Sequence, residues 1–245
     1  FYIIFCKMTK LIYLQDTYLF DYYAQIIDIT EIQWRTDIVL DQTIFYPQWW
    51  WQPCDKWIIS SANWTFEVED VRLDKDWFVH HFWKISNWEL QKWEKVELKI
   101  DKERRILNTK LHSAGHFIDY AIQSLGVDIK PTKWYHFPDG SYVEYQWEIQ
   151  NSEELIPKLQ QRLDEIIFSN VKAWTKELSN EEAVKQWIWA PEWKSARIVW
   201  FDWYDYYGCG GTHVSSSKEI WRIMIRKIKN KKWNSQISYT LDDID

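Results

Sequence analysis

Glycine is scarce in this chain, with six residues in 245, where ordinary usage of about 7% would give roughly 17. Cysteine is scarcer still, present only as Cys6, Cys54 and Cys209. So few scattered thiols exclude the disulfide framework of a small secreted domain and point to a reducing compartment, the cytoplasm. No apolar run approaches the roughly 18–20 residues a membrane helix needs, and the opening FYIIFCK is too short for a signal-peptide core. Positive charge is also in deficit: 30 Lys and Arg face 36 Asp and Glu, giving a net charge of −6. That balance excludes a protein that coats nucleic acid by charge alone. Basic residues do crowd locally, at Arg222, Arg226, Lys227, Lys229, Lys231 and Lys232, and either a local basic surface or a solvated strand face fits them.

Tryptophan stands where glycine is missing. There are 20, and many fall in turn-like settings: Pro47-Gln48-Trp49-Trp50-Trp51-Gln52-Pro53, Asp76-Trp77, Asn87-Trp88, Lys92-Trp93-Glu94 and Lys232-Trp233-Asn234. Turn sites often need φ > 0, which glycine adopts freely and a residue with a Cβ adopts at a cost of order 1 kcal/mol or more. The pattern predicts a gene in which UGA specifies glycine, rendered here as tryptophan, with Trp189 and Trp200 among the few read as genuine. An aromatic platform for stacking bases is the competing reading, and the clustering at turns, away from any one face, speaks against it. Met8-Thr9-Lys10-Leu11 reads as a natural beginning, so residues 1–7 are expected to be upstream translation. With the ending Leu241-Asp242-Asp243-Ile244-Asp245, the chain reads as a complete small protein.

The expected fold class is α+β, in two domains. Over residues 8–100, short β-rich stretches (Leu11 to Leu14, Asp37 to Leu40, Trp64 to Leu73, Phe78 to Ile85 and Lys95 to Ile100) alternate with turn signals, the spacing of a small β-barrel. Over residues 101–245 the pattern changes. A charged lead-in, Asp101 to Arg105, precedes a helix expected from Ile106 to Leu125, with Leu107, Leu111, Ala114, Ile118, Ala121, Ile122 and Leu125 at helical spacing, ended by Gly126. Strand-like runs flank the turn Phe137-Pro138-Asp139-Gly140. A second helix is expected from Ser152 to Ser169, a third from Asn180 to Trp187, and strand from Glu219 to Leu241. The second domain is therefore expected to pack helices on an antiparallel sheet.

Two short fragments carry metal-binding chemistry. His112 and His116 lie four apart in the helical stretch, so both rings project from one face, a turn apart. Cys209-Gly210-Gly211-Thr212-His213 repeats the spacing, with glycines that let the backbone turn tightly and approach a ligand closely. Together they offer imidazole nitrogens and one thiolate, a donor set that favours Zn2+ over magnesium or calcium. A closed four-ligand site that merely holds the fold would draw on several cysteines from closely spaced pairs, and here a single cysteine serves.

His112-Ser113-Ala114-Gly115-His116, the run Tyr135-His136-Phe137-Pro138-Asp139-Gly140-Ser141-Tyr142-Val143-Glu144-Tyr145 and Cys209-Gly210-Gly211-Thr212-His213-Val214 resemble the freestanding alanyl-tRNA editing proteins, the AlaX type. They resemble the editing domain of alanyl-tRNA synthetase as well. The stretch from Phe45 to Trp57 resembles that family's barrel motif with tryptophan at each glycine, which places the chain with the longer, two-domain form. One departure falls at Gln236, where the family has arginine. The resemblance implies hydrolysis of the ester joining serine, or glycine, to the terminal ribose of alanine tRNA. It implies tRNA as the partner, His112, His116 and Cys209 as zinc ligands, and His213 as the fourth ligand or a base beside the metal. Gly210, Gly211 and Thr212 would offer backbone N–H groups or a hydroxyl to the substrate, and His213 and Thr212 are the candidate catalytic residues. His136 is read as a packing or solvent histidine, and His80 and His81 carry no role. Threonyl-tRNA editing is the rival within the enzymes, disfavoured by Gly210-Gly211-Thr212. A zinc-stabilised RNA-binding module without catalysis is the rival outside them.

Overall fold

The computed structural model describes residues 8–32, 35–48, 51–84, 90–188 and 195–242. Residues 1–7, Trp49, Trp50, Ile85, Asn87, Trp88, Trp189 and residues 243–245 lie outside that set, and with them the expectations placed on those positions. The chain divides into two compact units, Phe1–Asn108 and Thr109–Asp245.

In the first unit the strands are β1 (Lys10–Leu11), β2 (Asp21–Ile32), β3 (Arg35–Leu40), β4 (Gln42–Thr43), β5 (Trp57–Ser60), β6 (Thr65–Val68), β7 (Asp70–Leu73), β8 (Val79–Lys84) and β9 (Lys95–Ile100). Seven of them form one sheet in the order β6-β5-β9-β2-β3-β8-β7. Its two outermost strands, β6 and β7, are consecutive in the chain and joined only by Glu69. In place of the expected closed barrel there is one seven-stranded sheet, and among the described residues no ladder pairs β6 with β7. Leu11 to Leu14, expected as a strand, pairs only at Lys10–Leu11 and then makes a 3-10 turn over Ile12–Leu14. Alternation along β6 and β9 puts Phe66, Val68, Val96 and Leu98 inward, against Ile26, Ile38, Leu40 and Ile59.

Helix α1 (Lys102–Ser124) begins four residues earlier than the apolar spacing indicates. Asp101 caps it by accepting from Arg104 N at 3.0 Å, and the charged lead-in is already helical. Arg105 is wholly buried there. Its guanidinium is ion-paired with buried Asp55 and donates to the carbonyls of Thr17 and Ile44, the full satisfaction a buried charge requires.

The second unit contains β10 (Pro131–Tyr135), β11 (Tyr142–Gln146), α2 (Ser152–Phe168), β12 (Ala173–Leu178), α3 (Asn180–Lys185), β13 (Ala196–Phe201), β14 (Tyr207–Gly208), β15 (Ile223–Lys231) and β16 (Asn234–Leu241). A four-stranded sheet runs β10-β11-β16-β15 and a three-stranded one β12-β13-β14, all antiparallel. The tail expected as one strand is a 3-10 turn, Ser217–Ile220, followed by the hairpin β15–β16. Gln160 of α2 ties the helix to β15, donating to Ile223 O at 2.7 Å and accepting from Ile225 N at 3.0 Å. The α+β class holds for the whole described chain.

Among the described residues ten non-glycine residues have positive φ, and seven of them are tryptophan: Trp57, Trp77, Trp93, Trp147, Trp187, Trp203 and Trp221. Trp64 is different, being buried with its Nε1 donating to the Glu94 carboxylate.

Candidate metal centre

Thr109, His112, Ser113 and His116 recur at helical spacing, so α1 presents them as one stripe. The segment Cys209–Val214, which follows β14, lies along that stripe and is fastened to it in three places. Thr109 and Thr212 hydroxyls meet at 2.7 Å, Val214 N donates to Ser113 Oγ at 3.1 Å, and His112 Nε2 stands 3.2 Å from Cys209 Sγ. Arg197 on β13 holds the turn from the other side, its Nη1 donating to Cys209 O at 2.8 Å and Gly211 O at 3.1 Å. Close approach explains the glycine at 211, because a Cβ there would sit 2.1 Å from His112 Cε1. Gly115 does the same for His136, with 2.3 Å to its Cε1.

The two fragments converge. One donor atom from each of His112, His116, Cys209 and His213 lies within 4.8 Å of the others. His116 Nε2 faces His112 Nε2 at 3.3 Å, and His213 Nε2 stands 3.3 Å from Cys209 Sγ. A tetrahedron with zinc–nitrogen bonds near 2.0–2.1 Å and a zinc–sulfur bond near 2.3 Å has edges of about 3.3–3.6 Å, which the three contacts of 3.2–3.3 Å match, while the whole set lies within 4.8 Å. Burial pushes the pKa of His116 down to about 4 and those of His112 and His213 well below the usual imidazole value. At neutral pH all three rings are uncharged and present a lone pair. Burial also raises the Cys209 thiol, so a cation binding there would displace its proton. Buried polar atoms without partners are uncommon, and among the described residues Nδ1 of His112 and of His213 are two of them. The donor set and the convergence of its atoms fit a zinc ion.

The other predicted residues are placed as follows. Thr212 is fully buried, with its hydroxyl engaged by Thr109, and Gly210 is exposed at the turn. His136 stays outside the four-residue group: its Nδ1 is 2.6 Å from Tyr239 Oη, which in turn donates to Leu111 O at 2.9 Å. His80 and His81 are held within the first unit, by Asp37 and Asp74 and by Thr43 and the Ile38 carbonyl respectively. Gln236 sits in β16 opposite Glu144 and Lys229. Sequence reasoning missed Thr109, Ser113 and Arg197. The first two share the helical phase of the histidines, and Arg197 is a lone cation in the apolar strand Ala196–Phe201, so each left a signal.

No protein-family model matches the chain. Relatives that match it include alanyl-tRNA editing proteins and alanine–tRNA ligases. The alanyl-tRNA editing protein AlaX-M of Pyrococcus horikoshii is 30% identical over 224 residues, covering 91% of this chain and 92% of that protein. The same organism's alanyl-tRNA editing protein AlaX-L is 29% identical over 231 residues, 93% of this chain and 56% of its own length. The alanine–tRNA ligase of Halobacterium salinarum is 28% identical over 229 residues, 89% of this chain and 24% of the ligase. This chain thus spans about half the length of AlaX-L and about a quarter of the ligase. The chain belongs to the AlaX-type alanyl-tRNA editing proteins.

Proposed function

We propose that this protein removes serine, and glycine, from mischarged alanine tRNA by zinc-dependent hydrolysis of the aminoacyl ester. The observation that carries the reading is the convergence of His112, His116, Cys209 and His213 within 4.8 Å, in a chain whose relatives bear the name alanyl-tRNA editing protein. Residues 101–245 form the editing domain in this reading and residues 8–100 a separate β domain. tRNA is the partner, and the compartment is the cytoplasm; no helix among the described residues is long and apolar enough to cross a membrane.

His112, His116 and Cys209 hold the ion, with His213 completing the set. Bound there, zinc would supply a Lewis acid for an ester carbonyl or for water. The chain's own residues supply the remainder. Arg197, Thr109 and Ser113 fix the loop, so that the exposed Gly210 holds its N–H group in one place as a donor to a developing oxyanion, while the close-packed Gly211 turns its N–H to the Cys209 sulfur. Thr212 locks that loop through its hydroxyl. An aminoacyl ester is already activated, so placing it beside water is most of the task. Water adds to the carbonyl carbon, the bond to the ribose oxygen breaks, and that oxygen takes up the proton, leaving free amino acid and tRNA.

The test is release of serine from seryl alanine tRNA, with zinc and with a zinc chelator, using protein carrying glycine at the positive-φ tryptophan positions. Release that stops on chelation and in H116A, with the fold retained, is the expected result. No release with zinc present overturns the reading.

A further inference from the structure

The four-residue cluster is closed on one side and open on another. His112 and His213 are buried, whereas His116 and Cys209 are half-buried. At that open rim stands Tyr207, itself half-buried, its ring 5.5 Å from the ring of His116 and 5.6 Å from that of Tyr120. Gln123 lies seven residues beyond His116 on α1 and therefore on the same face of the helix. It is exposed and donates from Nε2 to Tyr207 Oη at 3.1 Å. Among the described residues its amide oxygen has no partner. Neither side chain serves the metal cluster, and neither is committed to the core.

We propose that Tyr207 and Gln123 form the subsite for the terminal adenine of the aminoacylated tRNA, the tyrosine ring stacking on the base and the Gln123 amide reading its edge. The inference rests on the editing reading above. If the ester must reach the cluster, then the base on the same nucleoside, joined to the ester oxygen through a single ribose, must lie at the cluster's open rim. An aromatic face is what a base stacks on. A carboxamide matches adenine's paired donor and acceptor, accepting from the exocyclic amino group while its own amino group faces a ring nitrogen. Holding the amide against Tyr207 Oη fixes its plane beside the ring on which the base would lie. Guanine presents an oxygen where adenine presents the amino group, so the same amide disfavours it.

The experiment uses the zinc-loaded full chain and two probes that contain no scissile ester, 3′-deoxy-3′-seryl-amido-adenosine and its guanosine counterpart, together with steady-state deacylation of seryl alanine tRNA. The parent binds the adenosine probe more tightly than the guanosine one. Y207A weakens adenosine-probe binding and raises KM about ten-fold, the size of one base–aromatic stack, with kcat within about two-fold and zinc content unchanged. Y207F, which keeps the ring, loses less than Y207A. In Q123A, a change at an exposed position, the preference for adenosine over guanosine collapses. The proposal is overturned if the parent fails to bind the adenosine probe, if zinc-replete Y207A binds it as the parent does, or if Q123A keeps the preference. Should Y207A lose zinc or fail to fold, Q123A alone decides. A parent that binds the probe yet releases no serine from tRNA leaves the subsite standing and removes the editing reading, so the two failures are distinguishable.

Discussion

A tryptophan with φ near +65° holds its Cβ against its own carbonyl, at a cost of roughly 1–2 kcal/mol that glycine does not incur. Trp203 and Trp221 adopt φ of 67° and 66° while leaving 81% and 73% of their surface in water, so no packing offsets the strain. Trp77, Trp93, Trp147 and Trp187 share the conformation. Of the turn tryptophans singled out from sequence, Trp77 and Trp93 have positive φ, while beside Trp233 it is Lys232 that does. A backbone that demands glycine, occupied by exposed indoles, is what UGA-encoded glycine rendered as tryptophan would leave behind. W203G and W221G are therefore expected to stabilise the protein by about 0.5–1 kcal/mol each, the strain relieved less the added freedom of the unfolded chain. W64G should do the reverse and cost several kcal/mol, on the order of 3–5, because it empties a core site. Urea unfolding measures both. Destabilisation by W203G and W221G, or UGG codons at those positions in the source gene, would sink the glycine assignment.

At the scale of elements, strong periodicity was readable and broken periodicity was not. The helix bearing His112 and His116 announced itself through its apolar spacing, but its first turn did not, because Arg105 looks like a solvated charge until Asp55 is found beside it. The long strand β2 was missed for a different reason. Tyr22, Ala24 and Ile26 alternate inward, a register shift intervenes between Ile26 and Asp28, and Ile29 resumes the inward face out of phase. The same strand pairs with β9 through its first half and with β3 through its second, so no single alternation spans it. The four-residue cluster was legible because its members are chemically distinctive; the residues that fasten it, Thr109, Ser113 and Arg197, have ordinary side chains whose roles depend on the three-dimensional register.

His80, on β8, shows how one pair of neighbours makes an element sensitive to pH. Its hydrogen bond to Asp37 of β3, at 2.7 Å, with a second to Asp74, raises its pKa from 6.5 to about 9. A raised folded-state value means that the stabilisation is complete below about pH 6.5 and disappears as pH climbs through 9. Comparing the urea midpoints of the parent and H80N should show a gap at pH 6 that narrows by pH 10. A gap of constant size across that range would mean that the imidazole serves by shape alone.

Over the whole molecule, the two compact units differ in what metal can do for them. All four donor residues belong to Thr109–Asp245, whereas the seven-stranded sheet belongs to Phe1–Asn108 and has an apolar core of its own, with Ile26, Ile38, Leu40, Ile59, Phe66 and Leu98 inside. An ion bound to the folded state alone stabilises it by mass action. Here the contacts that such an ion would stabilise are those that join α1 to the segment Cys209–Val214, and through Arg197 to β13. Without it, three neutral imidazoles and a protonated thiol would be packed together, and the loop would rest on the hydroxyl contacts of Thr109 and Ser113 and on Arg197. Amide hydrogen exchange with and without chelator resolves the consequence residue by residue. Protection of the amides around Cys209, Val214 and the middle of α1 is expected to fall on chelation and to return with zinc, while strands β3, β5 and β9 exchange as before. Equal loss in those strands would show that the ion supports the chain as a whole, and unchanged protection around Cys209 would show that no ion is held there.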